Sequence, residues 1–244
     1  MNNILIVGGT SDISVEIVKK INFESNIHLF CRNKKKFDSI YKSSEFNNKK
    51  IFPHYIDISY LESIEEFSFH DFNQFDKFIF LNGIDIIKPN KLLSINEIVN
   101  SFNVNIISTF LIISKLFKYN KVKKNSSFVF LSSISGNNIG PKGHSIYSTT
   151  KSAINGMIKS LSNEYSKRNI RFNSIAPGLI KTKNLFNKNS AILDKSSLIS
   201  YEKQYPLGFG DISDVVELVF YLLNSKSKWI TGQTFVVDGG FTLN

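Results

Sequence analysis

One cysteine, Cys31, stands in 244 residues, so the chain can form neither an internal disulfide nor a multi-cysteine metal site. The four histidines, His28, His54, His70 and His144, show no metal-ligand spacing, and no metal is expected. Unbroken apolar runs are short, Phe78 to Leu81 being typical, whereas a membrane-spanning helix needs about 20 apolar residues. No membrane association is therefore expected. The opening MNNILIVGGT has no basic region followed by a long apolar one, so no secretory signal is expected and the cytoplasm is the expected compartment. Arginine is scarce. Arg32, Arg168 and Arg171 stand against 27 lysines within a net charge of +10. Nucleic-acid readers lean on arginine for bidentate contacts. Here the lysines are dispersed, and with 27 asparagines and three alanines they read as a solvated surface. Nucleic acid is not expected as a partner, although a weakly basic face could draw anionic substrates.

What is present is a globular composition, 42% hydrophobic and 20% charged. The length suits one α/β domain over residues 1–244. Short β-rich runs alternate with longer amphipathic segments. Strands are predicted at 4–7, 26–30, 51–56, 78–81, 127–131, 170–175 and 234–237. Helices are predicted at 12–22, 34–41, 59–67, 94–118, 147–167 and 211–223. Such alternation implies a doubly wound parallel sheet, a Rossmann fold, with helices on both faces and ligands beyond the carboxyl ends of the strands. Residues 182–210 break the pattern. They lack a clear strand and carry several lysines, as expected of a substrate lid.

The first strand runs straight into Gly8-Gly9-Thr10 and then a helix, a geometry that turns backbone N–H groups toward a pyrophosphate. A glycine after a first strand also serves many α/β domains simply as a turn. Tyr147 and Lys151 lie four residues apart on a predicted helix, which puts them on one face. A nearby ammonium is expected to lower the phenol's pKa from about 10 towards a working range. Ser133 follows a buried strand, so its hydroxyl can reach the same cleft and stabilise a developing alkoxide. The second strand ends in Cys31-Arg32-Asn33. Cys31 stands where an NAD enzyme of this fold carries an acidic residue, and Arg32 is suited to a 2′-phosphate. The expected cofactor is therefore NADP(H), with Lys34 to Lys36 adding a positive field.

Over essentially its whole length the chain resembles the short-chain dehydrogenase/reductase family, including its β-ketoacyl-acyl carrier protein reductases. The resemblance rests on Gly8-Gly9-Thr10-Ser11-Asp12-Ile13-Ser14, Asp57, Asn82-Gly83, Asn105, Ser133, Tyr147 to Lys151, Pro177-Gly178 with Thr182, and Gly232 to Gly240. It implies a catalytic set of Asn105, Ser133, Tyr147 and Lys151, with Asn105 holding a water in the proton relay. It also implies cofactor contacts from Gly8, Thr10, Ser11, Asp12, Ile13, Asp57, Asn82, Gly83, Pro177, Gly178, Ile180 and Thr182, together with Tyr147 and Lys151. Two of the family's phosphate-turn glycines are replaced, by Asp12 and Ser14. Asp12 is expected to cap the helix and turn its carboxylate from the ligand. Asp57 reads either as an adenine contact or as a helix cap, and both can hold. The usual Asn-Asn-Ala-Gly segment is Phe80-Leu81-Asn82-Gly83. His144 is expected on the substrate loop.

The expected activity is NADP(H)-dependent interconversion of a carbonyl and an alcohol, first on a β-ketoacyl thioester, with Arg168 and the basic lid meeting an acidic carrier protein. A sugar or polyol oxidoreductase is the enzymatic alternative. A non-catalytic dinucleotide-binding regulator is the alternative from another class. A homo-oligomer, a tetramer, is expected, through the helices at 94–118 and 147–167. Ile154, Met157, Ile158 and Leu161 illustrate the surplus apolar surface, and Phe235 to Leu243 is expected to form a second contact.

Overall fold

Seven runs rich in β-branched and aromatic residues pair side by side in the computed structural model, which describes residues 2–183 and 195–243. They are β1 Asn3–Val7, β2 Asn26–Cys31, β3 Lys50–Tyr55, β4 Phe75–Phe80, β5 Val122–Leu131, β6 Arg171–Pro177 and β7 Thr234–Val237. All neighbours are parallel, in the order β3-β2-β1-β4-β5-β6-β7. The order reverses between β1 and β4, where a doubly wound sheet opens a crevice at its carboxyl edge. The helices are α1 Asp12–Lys20, α2 Lys34–Tyr41, α3 Leu61–Glu66, α4 Ile95–Phe102, α5 Ser108–Lys118, α6 Ser145–Glu164, α7 Lys195–Glu202 and α8 Ile212–Leu223.

The strands alternate between two apolar layers. Phe78, Phe80, Phe128 and Phe172 face the layer that holds Ile112, Leu116, Ile154 and Ile158 of α5 and α6. Ile6, Leu29, Ile79 and Val129 face the other, with Ile17 and Val18 of α1 and Val215 and Val219 of α8. Strand register sets Phe78 beside Phe128 and Phe128 beside Phe172. Their rings stack at 3.9 and 4.5 Å, each contact contributing about 0.5–1.5 kcal/mol beyond area burial.

Several elements depart from the sequence reading. The predicted helix at 94–118 forms as Ile95–Lys118, but a π-helical turn, Asn103–Ile107, interrupts it. By length and composition alone Ile95–Lys118 would also pass as a membrane span; here Ile106, Ile112, Ile113 and Leu116 lie in the core. Strand β5 starts at Val122 rather than Ser127, because Val122 pairs with Phe75 and Asp76 neutralises Lys123 at 2.9 Å. Helix α6 spans Ser145–Glu164 rather than 147–167, and a 3-10 turn, Ser166–Arg168, leads to Asn169 at φ 54°. Ile154, Met157 and Ile158 are buried in the core and offer no surplus for a subunit contact. Of the two long helices, the preceding one carries exposed apolar side chains, at Ile95, Val99, Ile107 and Phe110. Of the expected lid at 182–210, residues 184–194 lie outside the described residues. The described remainder includes α7 and packs Tyr201, Tyr205 and Phe209 near Phe241.

Candidate active site

The turn after β1 places Gly8 at φ 87° and makes Ser11 the N-cap of α1, its side chain accepting from the Ser14 N–H at 3.2 Å. Capping by Ser11 corrects the expectation for Asp12. Asp12 is the first helical residue, and its Oδ2 accepts from the Lys183 N–H at 2.9 Å, tying the turn to the chain beyond β6. Ser14, at the third glycine position, is fully buried. Its hydroxyl lies 3.4 Å from the Tyr41 hydroxyl, which donates to the Gly9 carbonyl at 2.7 Å. This bridge from α1 through α2 to the turn compensates for the missing glycine. Burial pushes the Tyr41 phenol up to about 12, so it stays a donor.

A cleft of about 270 Å³ runs past this turn. Gly8, Gly9, Thr10 and Ser11 line one side, Cys31, Arg32, Lys36 and Asp57 another, and Leu81, Asn82 and Gly83 a third. Backbone N–H groups at a helix N-terminus beside basic side chains suit a dinucleotide phosphate. Ile13 turns its side chain into the core. The Cys31 thiol is buried, which raises it to about 11 and leaves it unreactive. Arg32 is largely exposed, with Nε 4.0 Å from Asp57 Oδ2. Asp57 Oδ1 accepts from the Ser59 N–H at 3.1 Å and the Ser59 hydroxyl at 2.6 Å. It therefore shapes the turn before α3 and lines the cleft, while the N-cap of α3 is Tyr60. Lys36 was legible only as part of a charge run; its place on the cleft wall comes from Asn33, which caps α2 at the Lys36 N–H.

Ser133 lies just beyond β5 and starts a 3-10 turn, Ile134–Gly136. Its hydroxyl is a hydrogen-bond partner of the Tyr147 phenol. Lys151 follows one turn later on α6, with Nζ 5.8 Å from the Tyr147 ring centre. That ammonium donates to the carbonyls of Leu131 at 2.7 Å and Asn82 at 3.4 Å. Two glycines make this approach possible. A Cβ on Gly136 would sit 2.5 Å from Lys151 Cβ, and one on Gly83 would sit 2.9 Å from Lys151 Nζ. The expected lowering of the Tyr147 pKa is overturned. Burial pushes the phenol up to about 12, the Asp85 carboxylate adds to the rise, and the Ser133 hydrogen bond only partly opposes it. Burial also lowers Lys151 to about 8, so the ammonium that was to favour the phenolate is itself partly neutralised near that pH.

Asn82 donates to the Val104 carbonyl at 2.6 Å and the Thr109 hydroxyl at 3.1 Å, pinning the end of β4 to the long helix. Asn105 occupies the π-helical turn and is almost wholly buried. Its Oδ1 accepts from the Ile84 N–H at 2.8 Å, and its amide donates to the Ile84 carbonyl at 3.0 Å and the Thr150 hydroxyl at 2.9 Å. Pro177 closes β6, and the Gly178 N–H donates to the Val237 carbonyl at 2.9 Å. Ile180 bridges to Gly210, and the Thr182 N–H donates back to Ile180. All these residues stand at the carboxyl edge of the sheet. A larger groove of about 1030 Å³, around Lys77, Arg171 and Trp229, lies at the amino ends of the strands, away from this chemistry. His144 precedes α6 beside Tyr147, and sequence reasoning missed its neighbour Asp85, whose loop is remote in the chain.

The family profile described as enoyl-(acyl carrier protein) reductase matches residues 26–242. A 3-oxoacyl-acyl-carrier-protein reductase of Chlamydia pneumoniae is 25% identical over 244 residues, covering 98% of this chain and 96% of that protein. A solved short chain dehydrogenase family protein from Francisella tularensis superposes with a TM-score of 0.87 at 26% identity, covering all of both chains. A 4-hydroxyisoleucine dehydrogenase complexed with NADH does so at 0.85 and 26%, again over all of both chains. With the glycine turn, the strand order and the Ser133–Tyr147–Lys151 cluster in place, the chain belongs to the short-chain dehydrogenase/reductase family of oxidoreductases.

Proposed function

We propose that residues 1–244 act as one NADP(H)-dependent oxidoreductase domain that interconverts a carbonyl and an alcohol. The carrying observation is that Ser133, Tyr147 and Lys151 meet beyond β5, next to the glycine-lined cleft. When bound, the nicotinamide supplies or takes the hydride. The Tyr147 phenol, protonated at neutral pH, donates the proton that the new alkoxide needs. Ser133 donates to the same oxygen and stabilises its charge. Lys151 holds ribose hydroxyls and supplies positive charge, and Asn105 supports the proton relay while fixing Ile84.

The NADP(H) assignment rests on the second strand's end. Arg32 and Lys36 line the cleft, and α2 opens on Lys34-Lys35-Lys36 with no acidic residue in its first turn. Cations at a helix N-terminus oppose the macrodipole, each by about 0.3–1 kcal/mol. A bound 2′-phosphate would turn that cost into an attraction. The reading further includes a cytoplasmic homotetramer without a metal, a nucleic-acid partner or a membrane partner, and β-ketoacyl thioesters as the first substrate class to test. Keto sugars and polyols are the second class.

The test is a screen of ketoacyl thioesters, keto sugars and simple ketones with both cofactors, on wild type and Tyr147→Phe. Removing the proton donor is expected to lower turnover by about 10²–10⁴-fold while leaving NADPH binding near wild type. Lys151→Ala is expected to weaken both. Wild-type rates in Tyr147→Phe would sink the mechanism. Cofactor binding with no turnover on any substrate would leave a dinucleotide-binding regulator.

A further inference from the structure

The backbone amides of the turn after β1 divide into two sets. The Gly8 and Gly9 N–H groups both donate to the Phe30 carbonyl, at 3.2 and 3.0 Å, and the Ser11 N–H donates to the Gly8 carbonyl at 3.2 Å. The Ser14 N–H donates to the Ser11 hydroxyl. The N–H groups of Thr10, Asp12 and Ile13 enter none of these bonds, and Thr10 lines the cleft. They are the donors that the turn can offer a phosphate. For Thr10 the outcome depends on how the Gly9–Thr10 peptide is turned, because a trans peptide holds its C=O and its N–H on opposite sides.

The Gly9 carbonyl accepts from the Tyr41 hydroxyl at 2.7 Å. Tyr41 ends α2 and is buried, its ring against Phe37 and Phe46 with centres 5.0 and 4.9 Å apart. The Gly9 C=O is therefore turned inward, to the layer where α1 and α2 pack, and the Thr10 N–H faces away from it, towards the cleft. The Ser14 hydroxyl, fully buried on α1, stands 3.4 Å from the Tyr41 oxygen. Since the phenol's own proton goes to Gly9, Ser14 is the donor of that pair, and the polarised phenol is the stronger donor for it. We propose that Tyr41 is a positioning residue for cofactor binding: its hydroxyl locks the Gly9–Thr10 peptide so that the Thr10 N–H meets the pyrophosphate, with Ser14 as the second link. The Tyr41 side chain itself stays in the core and touches no part of the cofactor. This inference rests on the dinucleotide reading of the cleft given above.

The experiment is titration calorimetry on the full chain, with NADPH, NADH, ADP and adenosine 2′-monophosphate as probes. ADP presents two linked phosphates and adenosine 2′-monophosphate does not. Tyr41→Phe keeps the ring and removes the hydroxyl. It is expected to raise the dissociation constants of NADPH, NADH and ADP by a common factor of about 3–10, as for the loss of one hydrogen bond. That of adenosine 2′-monophosphate is expected to stay within about twofold of wild type. The double variant Ser14→Ala/Tyr41→Phe also removes the hydroxyl that Tyr41→Phe leaves buried without its partner. It is expected to regain the thermal midpoint lost in Tyr41→Phe without regaining affinity for ADP. Recovery of ADP affinity in the double variant would overturn the proposal, because a loosened core would then explain the loss. Equal weakening of all four ligands would do the same, as would ADP binding unmoved by Tyr41→Phe. Wild type that binds neither NADPH nor NADH removes the dinucleotide reading itself, and this inference with it.

Discussion

Among the described residues, Arg32 forms one ion pair, a loose one. Its guanidinium is largely exposed and only leans on Asp57, with Nε and Oδ2 4.0 Å apart. An exposed pair at that distance contributes little to stability, so the side chain is available to a ligand. A charge-assisted contact to a 2′-phosphate would contribute roughly 1.5–3 kcal/mol, or one to two decades of affinity. Arg32→Ala is therefore expected to raise the NADPH dissociation constant about 10–100-fold and to change that of NADH far less, as read by cofactor fluorescence titration. Equal losses, or a wild-type preference for NADH, would refute the strand-end argument. The residue scale is also where the sequence was most and least informative. Ser133, Tyr147 and Lys151 were legible because two sit one helical turn apart and the third follows a buried strand. Ser14 with Tyr41, and Asp85 with His144, were not, because each pair is joined only when separate loops or helices pack together.

At the scale of elements, periodicity located Lys34–Tyr41 and Thr234–Val237 with their boundaries, since caps and apolar spacing agree there. It missed the start of β5, where Lys123, Lys124 and Asn125 read as a loop until Asp76 and the pairing of Val122 with Phe75 hold them in a strand. It also missed the π-helical turn, because one extra residue leaves no mark in composition. The 3-10 turn after Ser133 depends on a close approach, for a Cβ at Gly136 would meet the α6 backbone at 2.6 Å. Gly136→Ala is expected to displace Ser133 and Lys151 together, lowering kcat/KM at least about 10-fold with a modest fall in the thermal midpoint. Wild-type kinetics in Gly136→Ala would refute that coupling. On β2 and β3, His28 Nδ1 and His54 Nε2 lie 3.0 Å apart among Phe52, Phe67, Phe72 and Phe75. Burial, helped by His54, lowers His28 to about 4, and burial lowers His54 as well. The folded state thus resists protons that the unfolded chain accepts below about pH 6.5. Their contribution is fully present above pH 6.5 and is lost as pH falls towards 4, by about 2–3 kcal/mol for His28 after allowing for its partial exposure. Urea midpoints at pH 7 and pH 4.5 are expected to converge in the double variant His28→Phe/His54→Phe; an unchanged gap would assign the acid loss to other groups.

For the whole molecule, the question is what covers the apolar surface that the sheet does not. Ile95 is 69% exposed, Val99 47%, Ile107 37% and Phe110 48%, all on the helix Ile95–Lys118. Ile95, Val99 and Phe110 fall within about 60° of one another at 100° per residue. The π-helical turn, Asn103–Ile107, lies within this stretch and seats Asn105 against Ile84. Burying these apolar side chains against a second copy is the common solution for a soluble chain, and a two-fold axis makes the patch meet itself. Opposing that, each copy carries a formal charge of +10, so assembly is expected to tighten as salt screens the repulsion. Sedimentation at micromolar protein is expected to give a tetramer at 300 mM NaCl. At 50 mM NaCl, and in Phe110→Glu at either salt, smaller species are expected, because the new carboxylates would face each other across the axis. A monomer under all conditions, or a tetramer indifferent to Phe110→Glu, would show that this helix face is not the one that pairs.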